Sequence, residues 1–118
     1  MNENSSAHVV VRQQLKAMDI IYYAHRLYLL HEVAWRLSVT GREDTVALVN
    51  RDIMWLRSTL LVESWIVGVV SMRSGDDMPA MTIQGPDREV IRPTHTLGAI
   101  EIAIHSYIKA YQQSRAPD

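Results

Sequence analysis

The chain has 118 residues and a mass of 13.5 kDa, which is a common size for one folded domain. Hydrophobic residues make up 47% and charged residues 21%, a composition typical of globular proteins and not of disordered ones. Twelve basic residues against thirteen acidic ones leave a net charge of -1. This net charge does not favour binding to the phosphates of nucleic acids. The absence of cysteine excludes disulfides, thiolate catalysis and cysteine-ligated metal sites.

Two long helices are predicted in the first part of the chain, over residues 6–39 and 43–73. The first range contains neither glycine nor proline. Gly41 then interrupts the pattern at a position that suits a residue just past a helix end, and acidic residues suited to a helix start follow it. The apolar stretch 60–72 is too short to cross a bilayer and is typical of a buried core helix. The pattern therefore predicts two antiparallel helices, an αα-hairpin.

A short β-hairpin or extended loop is predicted over residues 74–94. Two short runs, 81–84 and 89–92, flank Pro86 and Asp87, which suit the central positions of a type I turn. An isolated hairpin is only marginally stable in water, so we expect it to lie against the helices or against a partner.

A third helix is predicted over residues 95–114, with Thr94 or Thr96 as its N-cap. The fold class is therefore expected to be mainly α, as a single helical domain over residues 1–118. The first eight residues are polar and lack the apolar core of a signal peptide, so we expect a cytoplasmic protein that makes no contact with a membrane.

The predicted helices carry more apolar surface than one chain can cover. In the second helix, one stripe contains Val49, Leu56 and Leu60, and a second contains Trp55 and Ile66. A surface helix needs one such stripe. We therefore expect a homo-oligomer, most simply a homodimer in which a second copy completes the helical bundle across a two-fold axis.

Three polar residues are candidates for burial within the bundle: His31, Asp52 and Glu63. If the turn of the helical hairpin is centred near Gly41, His31 lies level with Asp52, and a pair between them would raise the pKa of the imidazole. Glu63 interrupts an apolar run, so it lies either on an exposed strip or buried with a partner, since an unpaired buried carboxylate is costly.

Arg26 and His31 form an R-x4-H pattern on the first predicted helix. This pattern resembles the signature of the HEPN superfamily of ribonucleases. The resemblance implies a helical dimer that cleaves RNA without metal, with Arg26 and His31 as catalytic residues contributed by two protomers. The chain departs from the family in two ways: Leu27 follows the arginine where the family favours a polar residue, and the pattern lies on the first helix and not near the start of the last.

No metal site and no cofactor is expected. Glu101 and His105 lie one helical turn apart, as metal-ligand pairs do, but they belong to the polar side of the third helix. The glycines are isolated, and no phosphate-binding glycine loop or H-E-x-x-H pattern occurs.

We expect a small non-enzymatic protein of interaction or regulation, because no catalytic constellation stands out. It would act through a helical surface and through residues 74–96, where a heterologous protein partner could bind as well as a second copy. The partner-binding residues expected there are Gln84, Asp87, Arg88 and Arg92. Two alternatives stay open: the ribonuclease, and a small-ligand binder with a pocket between helices. The residues expected to line that pocket are Tyr22, Tyr23, Trp35, Trp55 and Trp65.

Overall fold

The computed structural model describes residues 3–72 and 79–115, and within them the side chains of residues 18–68 and 81–115. The predicted loop residues 74–78 lie outside this description. In chain order the elements are α1 (Glu3–Val39), α2 (Glu43–Val62), β1 (Ile66–Met72), β2 (Pro79–Gln84), β3 (Val90–Ile91) and α3 (Leu97–Ser114). The chain is thus mainly helical, as predicted, with a small antiparallel sheet of order β1-β2-β3.

The turn between α1 and α2 confirms the prediction made from Gly41. Gly41 has a φ of 80°, in the left-handed region that glycine adopts without strain. Its N–H donates to the carbonyl of Ser38 at 3.1 Å, and the N–H of Arg42 donates to the carbonyl of Leu37 at 2.9 Å. These two bonds are the Schellman motif, which satisfies carbonyls that a helix end leaves open.

The prediction that the second helix runs to residue 73 is wrong, because α2 ends at Val62 with the same motif. Here Ser64 takes the left-handed position, with a φ of 65°. Its N–H donates to Leu61 at 2.9 Å and the N–H of Trp65 donates to Leu60 at 2.9 Å. The following residues form β1 and not a core helix, since four of the five residues over 66–70 are β-branched and favour extended backbone.

The predicted hairpin around Pro86 and Asp87 is confirmed as β2 and β3, with Ile83 opposite Ile91. The N–H of Arg88 donates to the carbonyl of Gly85 at 3.1 Å and closes the turn, and Arg88 itself has a φ of 65°. A type I turn followed by a left-handed residue is a common three-residue hairpin loop. The other hairpin of the sheet, β1 with β2, was not predicted.

The third helix begins with Thr96 as its N-cap, whose hydroxyl accepts a hydrogen bond from the N–H of Ala99 at 3.1 Å. Thr94, the other predicted cap, lies 3.2 Å from Nδ1 of His25 on α1. The linker before α3 is therefore attached to the first helix.

The core lies between the helices and is closed at one end by the sheet. Ala24, Leu27 and Val33 of α1 and Leu60 of α2 are fully buried, and Ile83 of β2 is fully buried with them. α3 adds the buried residues Ile100 and Ala103.

Several large apolar side chains remain exposed in the single chain. Those with exposed fractions above 65% are Met18, Met54, Leu61, Val62 and Ile102. The homodimer is predicted because apolar surface of this extent is exposed in one chain. The dimer itself stays a prediction. No helix in the described parts of the chain is long and apolar enough to cross a membrane.

Candidate functional site

The three helices meet around a groove of about 190 Å³ that combines aromatic, basic and acidic side chains. We call it the aromatic groove. It is lined by Tyr22, Tyr23, Arg26 and Leu30 of α1, Asp52, Trp55 and Leu56 of α2, and Tyr107 of α3. Leu30 and Leu56 are buried, so the groove rests on the core.

Helical periodicity places these residues on one surface. Tyr22, Arg26 and Leu30 recur every four residues along α1, and Asp52 and Leu56 are four apart on α2. Residues at this spacing share one face of a helix. The two faces oppose each other across the helical hairpin, and α3 supplies the remaining wall.

A hydrogen bond joins α3 to α2 across the groove. The Tyr107 hydroxyl donates to Oδ2 of Asp52 at 2.5 Å. Burial and the adjacent Asp52 carboxylate raise the pKa of Tyr107 well above its ordinary value, while the positive charge of Arg26 offsets part of the rise. Tyr107 therefore keeps its proton near neutral pH and acts as a hydrogen-bond donor, not as a base or nucleophile.

The aromatic side chains form a continuous cluster. Tyr23 packs edge-on against Trp55 with ring centroids 5.4 Å apart, and Tyr22 packs against Tyr23 at 5.9 Å. Such edge-to-face pairs are favourable beyond their buried area. Tyr22 and Trp55 nevertheless remain 61% and 57% exposed. Two large aromatic side chains are thus held in place while presenting most of their surface outward.

Of the two R-x4-H residues, Arg26 lines the groove and His31 does not. Five helical positions correspond to about 140° of rotation, so the two side chains of one chain leave α1 in different directions. His31 is half-buried. A ribonuclease site shared between two protomers stays a prediction.

The three candidates for buried polar residues, His31, Asp52 and Glu63, are each half-buried and not buried. For Asp52, the hydrogen bond that the structure shows comes from Tyr107. Sequence reasoning missed this partner, because it lies 55 residues away on α3 and no local spacing indicates it. Glu63 follows the last residue of α2, where its backbone N–H donates to Leu60 at 3.1 Å.

The four predicted partner-binding residues lie together at the β2–β3 hairpin. Gln84 ends β2, Asp87 and Arg88 form the turn, and Arg92 follows β3. All four are exposed. The N–H of Asp87 donates to Oε1 of Glu89 at 3.0 Å, which orders the turn. Their role in binding a partner stays a prediction.

The five aromatic residues expected around one pocket are divided among three cavities. Tyr22, Tyr23 and Trp55 line the aromatic groove. Trp35 lines a cavity of about 430 Å³ between α1 and α3, which we call the α1–α3 cavity. Trp65 is buried and lines a cavity of about 210 Å³ where α2 meets β1.

No metal centre is visible among the described residues, where no three His, Asp or Glu side chains lie close enough to hold an ion. Glu101 and His105 are both exposed on α3.

No protein-family model matches the chain, and no curated protein or solved structure was found to be similar to it.

Proposed function

We propose that this chain is a small non-enzymatic protein–protein interaction protein and that the aromatic groove is its principal contact surface. The observation that carries the proposal is the exposure of Tyr22 and Trp55, at 61% and 57%, beside the guanidinium of Arg26. Tyrosine, tryptophan and arginine are the residues that most often dominate binding energy at protein interfaces. Because neighbouring rings restrain these side chains, little conformational entropy is lost when a partner docks.

The first partner that we propose is a second copy of the chain. Met18 lies one helical turn before Tyr22 and is 66% exposed, so it extends the apolar surface beyond the groove. The groove carries one cation, Arg26, and one anion, Asp52. In a two-fold symmetric dimer, the same surface of each copy faces the other copy. Because the groove carries both charges, Arg26 of one copy can then lie opposite Asp52 of the other.

The β2–β3 hairpin is the second contact surface that we propose, for a heterologous protein partner. Tyr28 attaches the hairpin to α1, since its hydroxyl donates to the carbonyl of Ile91 at 2.8 Å. The exposed residues Gln84, Arg88 and Arg92 are therefore presented on a rigid support.

Sedimentation equilibrium of the full chain tests this function. The wild type is expected at twice the 13.5 kDa of one chain. A double variant, Tyr22→Ser with Trp55→Ser, is expected at the mass of one chain. The matched control is Ile102→Ser, because Ile102 is 71% exposed on α3 and does not line the groove. Circular dichroism checks that each variant keeps its helices. A monomeric wild type, or a double variant that stays dimeric, overturns the proposal that a second copy docks on the groove.

A cleavage assay on single-stranded RNA in the presence of a chelator separates this function from the ribonuclease alternative. The interaction protein leaves the RNA intact. Cleavage by the wild type that is lost in both Arg26→Ala and His31→Ala, but kept in Arg51→Ala, would replace the proposal by the enzymatic one.

A further inference from the structure

The α1–α3 cavity, at about 430 Å³, is larger than the aromatic groove and lies beside the turn between α1 and α2. Its apolar walls come from Trp35 and Val39 near the end of α1 and from Ile104 and Ile108 on α3. Cavities of this size with mostly apolar walls are typical of sites for small organic molecules.

Arginine is the charged residue at the mouth of this cavity. Arg42, in the turn between α1 and α2, is exposed and lines the cavity. Among the described residues, no carboxylate is paired with its guanidinium. Arg36 also lines the cavity, but its Nε is 3.4 Å from Oε1 of Glu32, so its charge is largely compensated. Arg42 is therefore the lining arginine to which the described structure gives no carboxylate partner.

The remaining polar groups of the cavity are already satisfied. The Thr40 hydroxyl lies 2.8 Å from the carbonyl of Arg36 and 3.1 Å from that of Leu37. The nearby carboxylate of Glu43 accepts a hydrogen bond from Ser38 at 2.6 Å. Recognition by hydrogen bonds to hydroxyl groups, as in a sugar, therefore has little support here.

We propose that the α1–α3 cavity binds an amphipathic monocarboxylate of the medium-chain fatty acid class. Its hydrocarbon chain would lie against Trp35, Ile104 and Ile108, and its carboxylate would pair with Arg42, whose planar guanidinium matches a carboxylate in two-point geometry. A small inorganic anion would leave the apolar walls unfilled, and a cation would be repelled by the arginine. This ligand site is independent of the proposed interaction through the aromatic groove.

Isothermal titration calorimetry on the full chain tests the site with three probes below any micelle concentration. Decanoate is expected to bind saturably, with one molecule per chain. Decanol has the chain without the charge and acetate has the charge without the chain, so each is expected to bind about tenfold more weakly or worse. Arg42→Gln is expected to weaken decanoate binding by about tenfold. Arg51→Gln is the matched control, since Arg51 is exposed on α2 and lines none of the three cavities.

A second pair of variants leaves the core untouched. Val39, the last residue of α1, is 61% exposed and lines the cavity, whereas Val62, the last residue of α2, is 80% exposed and does not. Val39→Glu is expected to abolish decanoate binding, because it sets a negative charge beside the ligand carboxylate, and Val62→Glu is expected to leave it unchanged. Absence of saturable decanoate binding to the wild type overturns the site. Equal binding by Arg42→Gln and wild type, or equal loss in the two valine variants, overturns it as well.

Discussion

The hydroxyl group of Tyr28 accepts a hydrogen bond from the backbone N–H of Ile83 at 3.1 Å and donates one to the carbonyl of Ile91 at 2.8 Å. One side chain of α1 thus contacts the backbones of two neighbouring strands. Tyr28 is only 7% exposed and Ile83 is fully buried, so water cannot replace the bond between them. This attachment holds the short sheet against the helical hairpin, and packing against a helix stabilises strand pairs that are marginal in isolation.

Replacing this hydroxyl should loosen the sheet from the helices. Tyr28→Phe leaves the buried N–H of Ile83 and the half-buried carbonyl of Ile91 without this partner, and is expected to lower the free energy of unfolding by about 1–3 kcal/mol. Urea denaturation followed by circular dichroism measures it. Tyr22→Phe is the matched control: Tyr22 is 61% exposed, and its substitution is expected to change stability by less than about 0.5 kcal/mol. Equal stability of the two variants would mean that Tyr28 does not hold the sheet.

A substitution just past the end of α2 is expected to have the opposite effect and to stabilise the protein. Ser64 has a φ of 65°, a conformation that costs a residue with a Cβ atom roughly 1 kcal/mol relative to glycine. Ser64→Gly is therefore expected to raise the free energy of unfolding by up to about 1 kcal/mol, measured by thermal and urea denaturation.

The same exchange within α2 serves as control. Ser58 is exposed and helical, so Ser58→Gly is expected to lower stability by roughly 0.5 kcal/mol. A loss of stability in Ser64→Gly comparable to that in Ser58→Gly would contradict the left-handed conformation at Ser64.

The contrast between Gly41 and Ser64 shows where the sequence is informative about the fold. Both residues occupy the same position of the same helix-ending motif. Glycine identifies this position, and the first helix end was predicted correctly. A serine there has no local signature, so α2 was extended through a segment whose β-branched residues form β1. The turn at Pro86 and Asp87 was recognised because proline presets its backbone angle.

Some features of the candidate site can likewise be predicted from the sequence, and others cannot. Periodicity along one helix is sufficient to indicate that Tyr22 and Arg26 share a face. The bond from Tyr107 to Asp52 depends on how α3 packs across the helical hairpin, which no spacing within a helix determines. The position of Arg42 at a cavity also could not be predicted from the sequence, because the cavity depends on how Ile104 and Ile108 of α3 pack against the end of α1.

The bond from Tyr107 to Asp52 predicts how stability depends on alkaline pH. The pKa of Tyr107 in the folded protein is raised above its ordinary value of 10.0, so both the folded and the unfolded chain keep this proton below that pH. Above it, the unfolded chain loses the proton first, and the free energy of unfolding decreases as pH rises. Burial raises the pKa of Tyr28 as well, and its contribution to the pH dependence of stability has the same sign.

Tyr107→Phe removes one of these two titrating groups. The free energy of unfolding of the variant is therefore expected to fall less steeply than that of the wild type above pH about 10. Urea denaturation at a series of pH values measures both slopes, with Ile102→Ser, at an exposed residue that does not titrate, as the control that retains the wild-type slope. The difference in absorbance at 295 nm between wild type and Tyr107→Phe should likewise develop only above pH about 10. Parallel stability curves for wild type and Tyr107→Phe would show that the Tyr107 hydroxyl is not held by Asp52 in solution.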